Sequence, residues 1–172
     1  LVGSEMCIRD RYMTKNPCYQ SGRTITVKGL MLHSVGCAQP NPRVFVKNWN
    51  SASYDRACVH GFIGEDEAII TLPCLETAGK AMRAWHCGAS GNNTHIGVEM
   101  CEPGNIKYTG GASFTCADLT TARSFVRKTT EQAVELFAQL CKFHGLNPMQ
   151  DIVSHAEGHA LGIASNHADP DH

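Results

Sequence analysis

No C-x-x-C pair occurs among the nine cysteines of this 172-residue chain. Zinc ribbons and thioredoxin-like redox centres both need two thiolates delivered by one turn, so neither is encoded here. An excess of one charge is missing too. Fifteen Lys and Arg stand against 16 Asp and Glu, a formal net charge of −1, which leaves no surplus positive potential to hold a phosphate backbone and argues against nucleic acid as a partner. No apolar run approaches the ~20 residues that a membrane-spanning helix needs, and the first residues lack the basic-then-apolar order of a secretory signal. Internal repeats and low-complexity segments are absent. These absences describe a soluble single domain made in the cytosol, long enough to bury a core without disulfide staples. The cysteines (Cys7, Cys18, Cys37, Cys58, Cys74, Cys87, Cys101, Cys116 and Cys141) are then expected to be mostly buried free thiols acting as small hydrophobes.

What is present is a set of apolar runs broken by turn residues. Leu1 to Tyr12 shows no periodicity and no motif, and it precedes a plausible start at Met13; we expect residues 1–12 to be a non-native leader outside the fold and 13–172 to form the domain. Ile25 to Leu32 reads as one early strand with His33 at its far end. Val44 to Asn50 predicts a short helix. Residues 57–63 and 68–72, separated by Gly64-Glu65-Asp66, predict a hairpin, and His95 to Cys101 a further strand. Pro73 to Gly91 reads as irregular, and the Gly-rich stretch from Glu102 to Thr115 as a flexible rim. From about Thr120 to His144 apolar residues recur at three- and four-residue steps, with Gly145 and Pro148 as stop signals, which predicts a long amphipathic helix. Ile152-Val153 is a short strand leading into Ser154-His155. Strands alternating with a long helix predict an α/β domain: a central mixed β-sheet flanked by helices, with a cleft at one sheet edge.

Chemistry-bearing side chains stand at the ends of these runs. His33 closes Gly29-Leu30-Met31-Leu32, Glu99 closes His95-Ile96-Gly97-Val98, and His155 closes Ile152-Val153-Ser154; Asn166-His167-Ala168-Asp169-Pro170 follows. Two imidazoles and two carboxylates are what a catalytic zinc site needs if the ion is to keep three protein ligands and one open position. Alternation along the strand turns Glu99, with His95 and Gly97, away from the layer of Ile96, Val98 and Met100. His155-Ala156-Glu157-Gly158-His159 does not fit the helical zincin motif, because Glu157 stands one place late and Gly158 weakens a helix.

The early Leu-His-Ser, Val59-His60-Gly61-Phe62-Ile63, Ala84-Trp85-His86-Cys87-Gly88, Asn92 to Glu99, and Ser154-His155 followed by His167-Ala168-Asp169-Pro170 occur in an order that resembles the type 2 N-acetylmuramoyl-L-alanine amidases. These are zinc enzymes of the peptidoglycan-recognition-protein fold, and the likeness is to those of phage and prophage endolysins. It runs from about Met13 to the C-terminus. The resemblance implies Zn2+ as cofactor with His33, His155 and Asp169 as ligands, His159, His167, Asp171 and His172 being rivals for the third place. It makes Glu99 the carboxylate that handles the water proton. His167 takes the position where the family commonly has a transition-state Lys, a departure that matters because a neutral ring donates a hydrogen bond without a full charge.

The implied reaction is hydrolysis of the amide between the lactyl group of muramic acid and L-alanine. The implied partner is peptidoglycan, met by a monomer that is synthesised in the cytoplasm without a signal peptide and acts on the cell wall after release. Trp85, His86 and Asn93 are expected to contact substrate, with a supporting role for Trp85 and His86 and a turn-shaping role for Asn92 and Asn93 as the plainer readings. His60 is expected to be structural. A non-catalytic peptidoglycan-binding domain and a cytosolic muropeptide-recycling amidase are the competing functions. We also expect a natural domain to continue past the dense polar cluster near His172.

Overall fold

The computed structural model describes residues 7–170. Its strands are β1 (Cys7–Asp10), β2 (Thr24–Thr26), β3 (Gly29–Ser34), β4 (Gly61–Ile63), β5 (Glu67–Ile70), β6 (Lys80–Met82), β7 (His95–Met100), β8 (Ile106–Gly110), β9 (Ser113–Cys116) and β10 (Ile152–Ser154). The helices are α1 (Pro17–Ser21), α2 (Pro42–Trp49), α3 (Leu119–His144) and α4 (His155–Ala160), with a 3-10 turn at Ser90–Asn93. Six strands form the central sheet in the order β1-β5-β4-β7-β3-β10. The sheet is mixed, as expected: β4 and β5 are antiparallel and every other neighbouring pair is parallel.

Strand alternation sorts the side chains of this sheet onto two faces. Leu30, Ile96, Val98, Ile63, Ala68 and Ile70 face α3, where Ala133, Leu136, Phe137, Leu140 and Cys141 complete the larger core. Phe62 and Ile69 point the other way and pack with Met13, Val46, Val59 and Leu72 under α1 and α2. Helix α3 starts where the Asp118 side chain accepts from the amides of Thr120 and Thr121, and it stops at Gly145, whose φ of 70° closes the last turn. Val126, included in the apolar stripe by its spacing, is half-exposed beside the small β8–β9 sheet rather than in the core. Six of the nine cysteines are buried. Among the described residues no helix is long and apolar enough to cross a membrane.

Besides placing residues 7–10 in a strand, the structure corrects four expectations. Residues 7–10, set aside with the leader, form the edge strand β1 paired in parallel with β5, and the Arg11 and Met13 amides continue that ladder onto Ile70 and Thr71; residues 1–6 lie outside the described residues. The run Ile25 to Leu32 is two strands. Thr24–Thr26 pairs with β6 in a separate two-stranded sheet, and the chain crosses to the main sheet at Val27-Lys28, where the two amides bond to Gly79 and Thr94. Gly29 permits this crossing, since a Cβ there would lie 2.7 Å from the Asp151 carbonyl and from the His95 ring. The stretch from Glu102 to Thr115 is largely a hairpin, β8–β9, turning at Gly110-Gly111, and 73–91 contains β6. Finally, His155 begins α4 instead of ending a strand; a capping box between Ser154 and Glu157 secures that turn despite Gly158.

Candidate metal centre

Parallel pairing brings the three predicted strand ends to one level. His33 on β3 stands opposite Glu99 on β7, and Ser154 on β10 pairs with Leu32, so His155 follows directly beside His33. Parallel strands lie about 4.8 Å apart. Side chains at matched positions on β3, β7 and the end of β10 therefore meet at the carboxyl ends of the strands, the usual ligand-binding edge of such sheets. Asp169 reaches the same point from the C-terminal segment, which is tied to α4 by the Ala156 amide bonding to the Asp169 carbonyl.

Three donor atoms converge there. His33 Nδ1 lies 3.0 Å from His155 Nδ1 and 3.2 Å from Asp169 Oδ2, and His155 Nδ1 lies 3.4 Å from Asp169 Oδ1. Zn–N and Zn–O bonds of 2.0–2.2 Å in a tetrahedron imply ligand–ligand edges of about 3.3 Å. The spacing and the donor chemistry therefore fit a zinc-sized ion, and this trio is the metal-capable group among the described residues. Both imidazoles are buried, while Asp169 is partly exposed. Asp171 and His172, two of the rivals for the third place, lie outside the described residues. His159 bonds instead toward the Ala164 carbonyl at 3.4 Å. His167 stacks edge-on against His155 with ring centroids 4.7 Å apart, beside the donor trio.

The far side of each imidazole is occupied. His155 Nε2 lies 3.2 Å from the Ser165 hydroxyl. His33 Nε2 lies 2.9 Å from His86 Nδ1, and His86 Nε2 lies 3.1 Å from the His95 carbonyl. His86 fits because residue 97 is glycine: a Cβ there would lie 2.3 Å from His86 Nδ1. The Gly97 amide donates to Nδ1 of buried His60, whose Nε2 bonds to the Met82 carbonyl. His60 thus takes the structural place expected of it.

A cleft of about 730 Å³ opens over the trio, lined among others by Ser34, His86, Glu99, Tyr108, Gly111, His155, His167 and Asp169. Burial and the neighbouring charges of Asp169 and Glu102 push the Glu99 carboxyl up to about 8, and its Oε2 has no hydrogen-bond partner among the described residues. Burial alone would raise Asp169 as well, but the imidazoles beside it, His155 foremost and then His33, outweigh it and hold that carboxyl well below its usual range. Burial lowers His33, partly offset by Asp169, and lowers His86 further. Buried rings held neutral keep a lone pair free for a cation.

Of the three residues expected to contact substrate, the structure places only His86 at the cleft, and there it faces His33. Trp85 is turned into the second core beside Val59 and Phe62, where its backbone bridges Cys58. Asn93 accepts a 2.7 Å hydrogen bond from Arg83. Neither residue is among those lining the cleft. Asn92 does more than shape its turn: its Oδ1 accepts from the amides of His86 and Cys87 at 2.8 and 3.0 Å and from the Cys87 thiol at 3.3 Å. Sequence reasoning missed Tyr108. It projects from β8 into the cleft wall and donates a 2.7 Å hydrogen bond to Glu102, which also accepts from the Gly36 amide just past His33. Gly110-Gly111 between two β-branched and aromatic runs was the available hairpin signal.

A mixed α/β sheet with a two-histidine, one-carboxylate centre at its strand ends, and a lone glutamate beside it, has the features of a metal-dependent hydrolase. The N-acetylmuramoyl-L-alanine amidase family model matches residues 23–172, and the chain belongs to that family. It is 30% identical over 132 residues to N-acetylmuramoyl-L-alanine amidase BlyA of Bacillus subtilis (strain 168), a match that covers 75% of this chain and 34% of BlyA. The chain thus spans about a third of that relative's length. Its fold is similar to a mutant endolysin from Bacillus subtilis, with a TM-score of 0.65 at 17% identity over 92% of this chain and 89% of the endolysin. It is also similar to Staphylococcus aureus hydrolase AmiA in complex with its ligand, with a TM-score of 0.68 at 22% identity over 98% and 74%.

Proposed function

We propose that this chain is a zinc-dependent amidase domain that hydrolyses the bond between the lactyl group of muramic acid and the L-alanine of peptidoglycan stem peptides. The observation that carries the reading is the convergence of His33 Nδ1, His155 Nδ1 and the Asp169 carboxylate at 3.0–3.4 Å, with Glu99 beside His33 as a carboxylate whose Oε2 has no partner among the described residues. A structural carboxylate at that position would be paired; an unpaired one is costly to keep and suits a proton acceptor.

His33, His155 and Asp169 would hold the ion. When bound, zinc supplies Lewis acidity at a carbonyl and brings the pKa of water from 15.7 toward about 7. Glu99 takes the proton of the attacking water and returns it to the departing amine of L-alanine, so that the amide C–N bond breaks to a carboxylate and a free amino terminus. His167, on the cleft wall next to His155, donates a hydrogen bond to the oxygen that gains negative charge. The open cleft admits a glycopeptide strand, and Tyr108 on the β8–β9 hairpin forms one wall. The physiological setting that follows is lysis of the bacterial wall.

Purified protein incubated with peptidoglycan, with and without chelator, tests this. New amino termini should appear without new reducing sugars, and chelation or Glu99→Ala should abolish them. Reducing sugars would indicate a glycosidase and overturn the proposal.

A further inference from the structure

The buried chain of contacts behind the metal centre assigns a role to a residue that stands behind a ligand and outside the donor trio. We propose that His86 is a positioning residue that fixes His33 in the tautomer whose Nδ1 lone pair faces the metal centre, and so sets the zinc affinity of the site. The inference rests on the metal reading above and deepens it.

The proton positions along these contacts start from the His95 carbonyl. A carbonyl oxygen has no proton to give, so its 3.1 Å contact with His86 Nε2 requires a proton on that nitrogen. A neutral His86 then has a bare Nδ1. That atom lies 2.9 Å from His33 Nε2, and two nitrogens so close need one proton between them, so it resides on His33. With Nε2 protonated, His33 Nδ1 is left as the lone pair, and it is Nδ1 that approaches His155 and Asp169; the Asp169 carboxylate, an acceptor only, competes for the proton at 3.2 Å, but His155 Nδ1, 3.4 Å from its other oxygen, can supply a proton in place of His33. The His95 carbonyl thus sets the direction of the chain from its buried end, against the pull of Asp169 at the other. His155 has no such constraint, because the hydroxyl of Ser165 can donate or accept.

Two further features hold His86 in place. The Asn92 amide oxygen clamps the His86 and Cys87 amides, which fixes the backbone from which the ring departs. The missing side chain at residue 97 leaves the space that the ring fills, with Gly97 lying 2.4 Å by its hypothetical Cβ from His86 Cγ. An isolated glycine inside a strand marks such a close approach. Partners of this kind, which orient a metal-ligating histidine through its second nitrogen, change metal affinity by about 10–100-fold when removed.

The test compares wild type with His86→Leu, which fills the space without an acceptor, and His86→Asn, whose Oδ1 keeps an acceptor near the Nδ1 position. In chelated, 15N-labelled protein, long-range proton–nitrogen correlations of the imidazoles should show His33 protonated on Nε2 in wild type and His86→Asn. In His86→Leu a mixture of tautomers is expected. Zinc affinity, measured by competition with a chromophoric chelator, should fall at least about tenfold in His86→Leu and stay within about threefold of wild type in His86→Asn. Wild-type His33 protonated on Nδ1, equal zinc affinity in all three proteins, or an equal loss in both variants would each overturn the assignment. If His86→Leu does not fold, the wild-type tautomer still decides. Wild-type protein that takes up no zinc would sink the function proposed above, while the His33 spectrum would continue to decide the role of His86.

Discussion

Glu99 gives the sharpest quantitative handle, because a carboxyl that burial pushes from 4.5 up to about 8 must make the metal-free protein less stable as the pH rises. The sign follows from proton counting. Between those two values the folded state keeps a proton that the unfolded chain has released, so the native form binds more protons and stability falls with increasing pH. For a single group titrating at 4.5 unfolded and about 8 folded, linkage gives a loss of about 3 kcal/mol between pH 5 and pH 8. Glu99→Gln removes the titration and leaves a neutral side chain of the same shape. The difference in unfolding free energy between variant and wild type should therefore move by about 3 kcal/mol in favour of the variant over that interval. The histidines of the site are common to both proteins and largely cancel in the difference.

The assay is urea unfolding of chelated protein followed by far-UV circular dichroism at several pH values, with equal m-values required for the comparison. A difference that stays constant within about 0.5 kcal/mol from pH 5 to pH 8 would refute the reasoning, since it would mean that the carboxyl is solvated or paired in the folded protein. The same variant should be inactive on peptidoglycan when zinc is present, a loss of about 10²–10⁴-fold for a removed proton acceptor. Greater stability with lost activity is the signature of a charge kept for chemistry.

Three other outcomes check the remaining links. Asp169→Asn removes the anionic ligand while keeping its shape, and metal content after dialysis against zinc should fall well below one ion per chain by elemental analysis; full retention would assign the third place to another residue. Gly97→Ala forces a Cβ to within 2.3 Å of the His86 ring and should destabilise the protein by about 1–3 kcal/mol in chemical denaturation, as overpacking in a rigid site does. Leu136→Ala, at a fully buried position of α3 against the sheet, should cost about 2–5 kcal/mol by the same measurement without changing zinc affinity; a loss under about 1 kcal/mol would contradict the placement of the core.

His33, Glu99 and His155 were legible because each closes an apolar run. A strand that is buried on both faces reads as continuous hydrophobics, and the first polar side chain at its carboxyl end is conspicuous: His33 after Gly29-Leu30-Met31-Leu32, Glu99 after Ile96-Gly97-Val98. Their meeting depends on register, with His33 beside Glu99 and Ser154 beside Leu32, and register is a property of pairs of strands that no single segment encodes. The same limit explains β1. Cys7–Asp10 has a half-exposed, weakly apolar pattern because it sits at the sheet edge, and only its pairing with β5 makes it a strand.

Trp85 and His86 show how two neighbours in sequence are sent to different parts of the fold. Extended backbone sends successive side chains in opposite directions, so two neighbours in one loop could not both face the same cleft. The bulky apolar ring went to the second core with Val59 and Phe62, and the polar ring went over Gly97 to the back of His33. Gly97 was the signal that separates them. Inside an otherwise apolar strand a glycine weakens packing and persists where another group must come close, and the group here is an imidazole on the path to the metal centre. A glycine two residues before the Glu99 carboxylate is thus as informative about the candidate site as the carboxylate itself, since it fixes which neighbouring side chain can stand behind His33 on the adjacent strand.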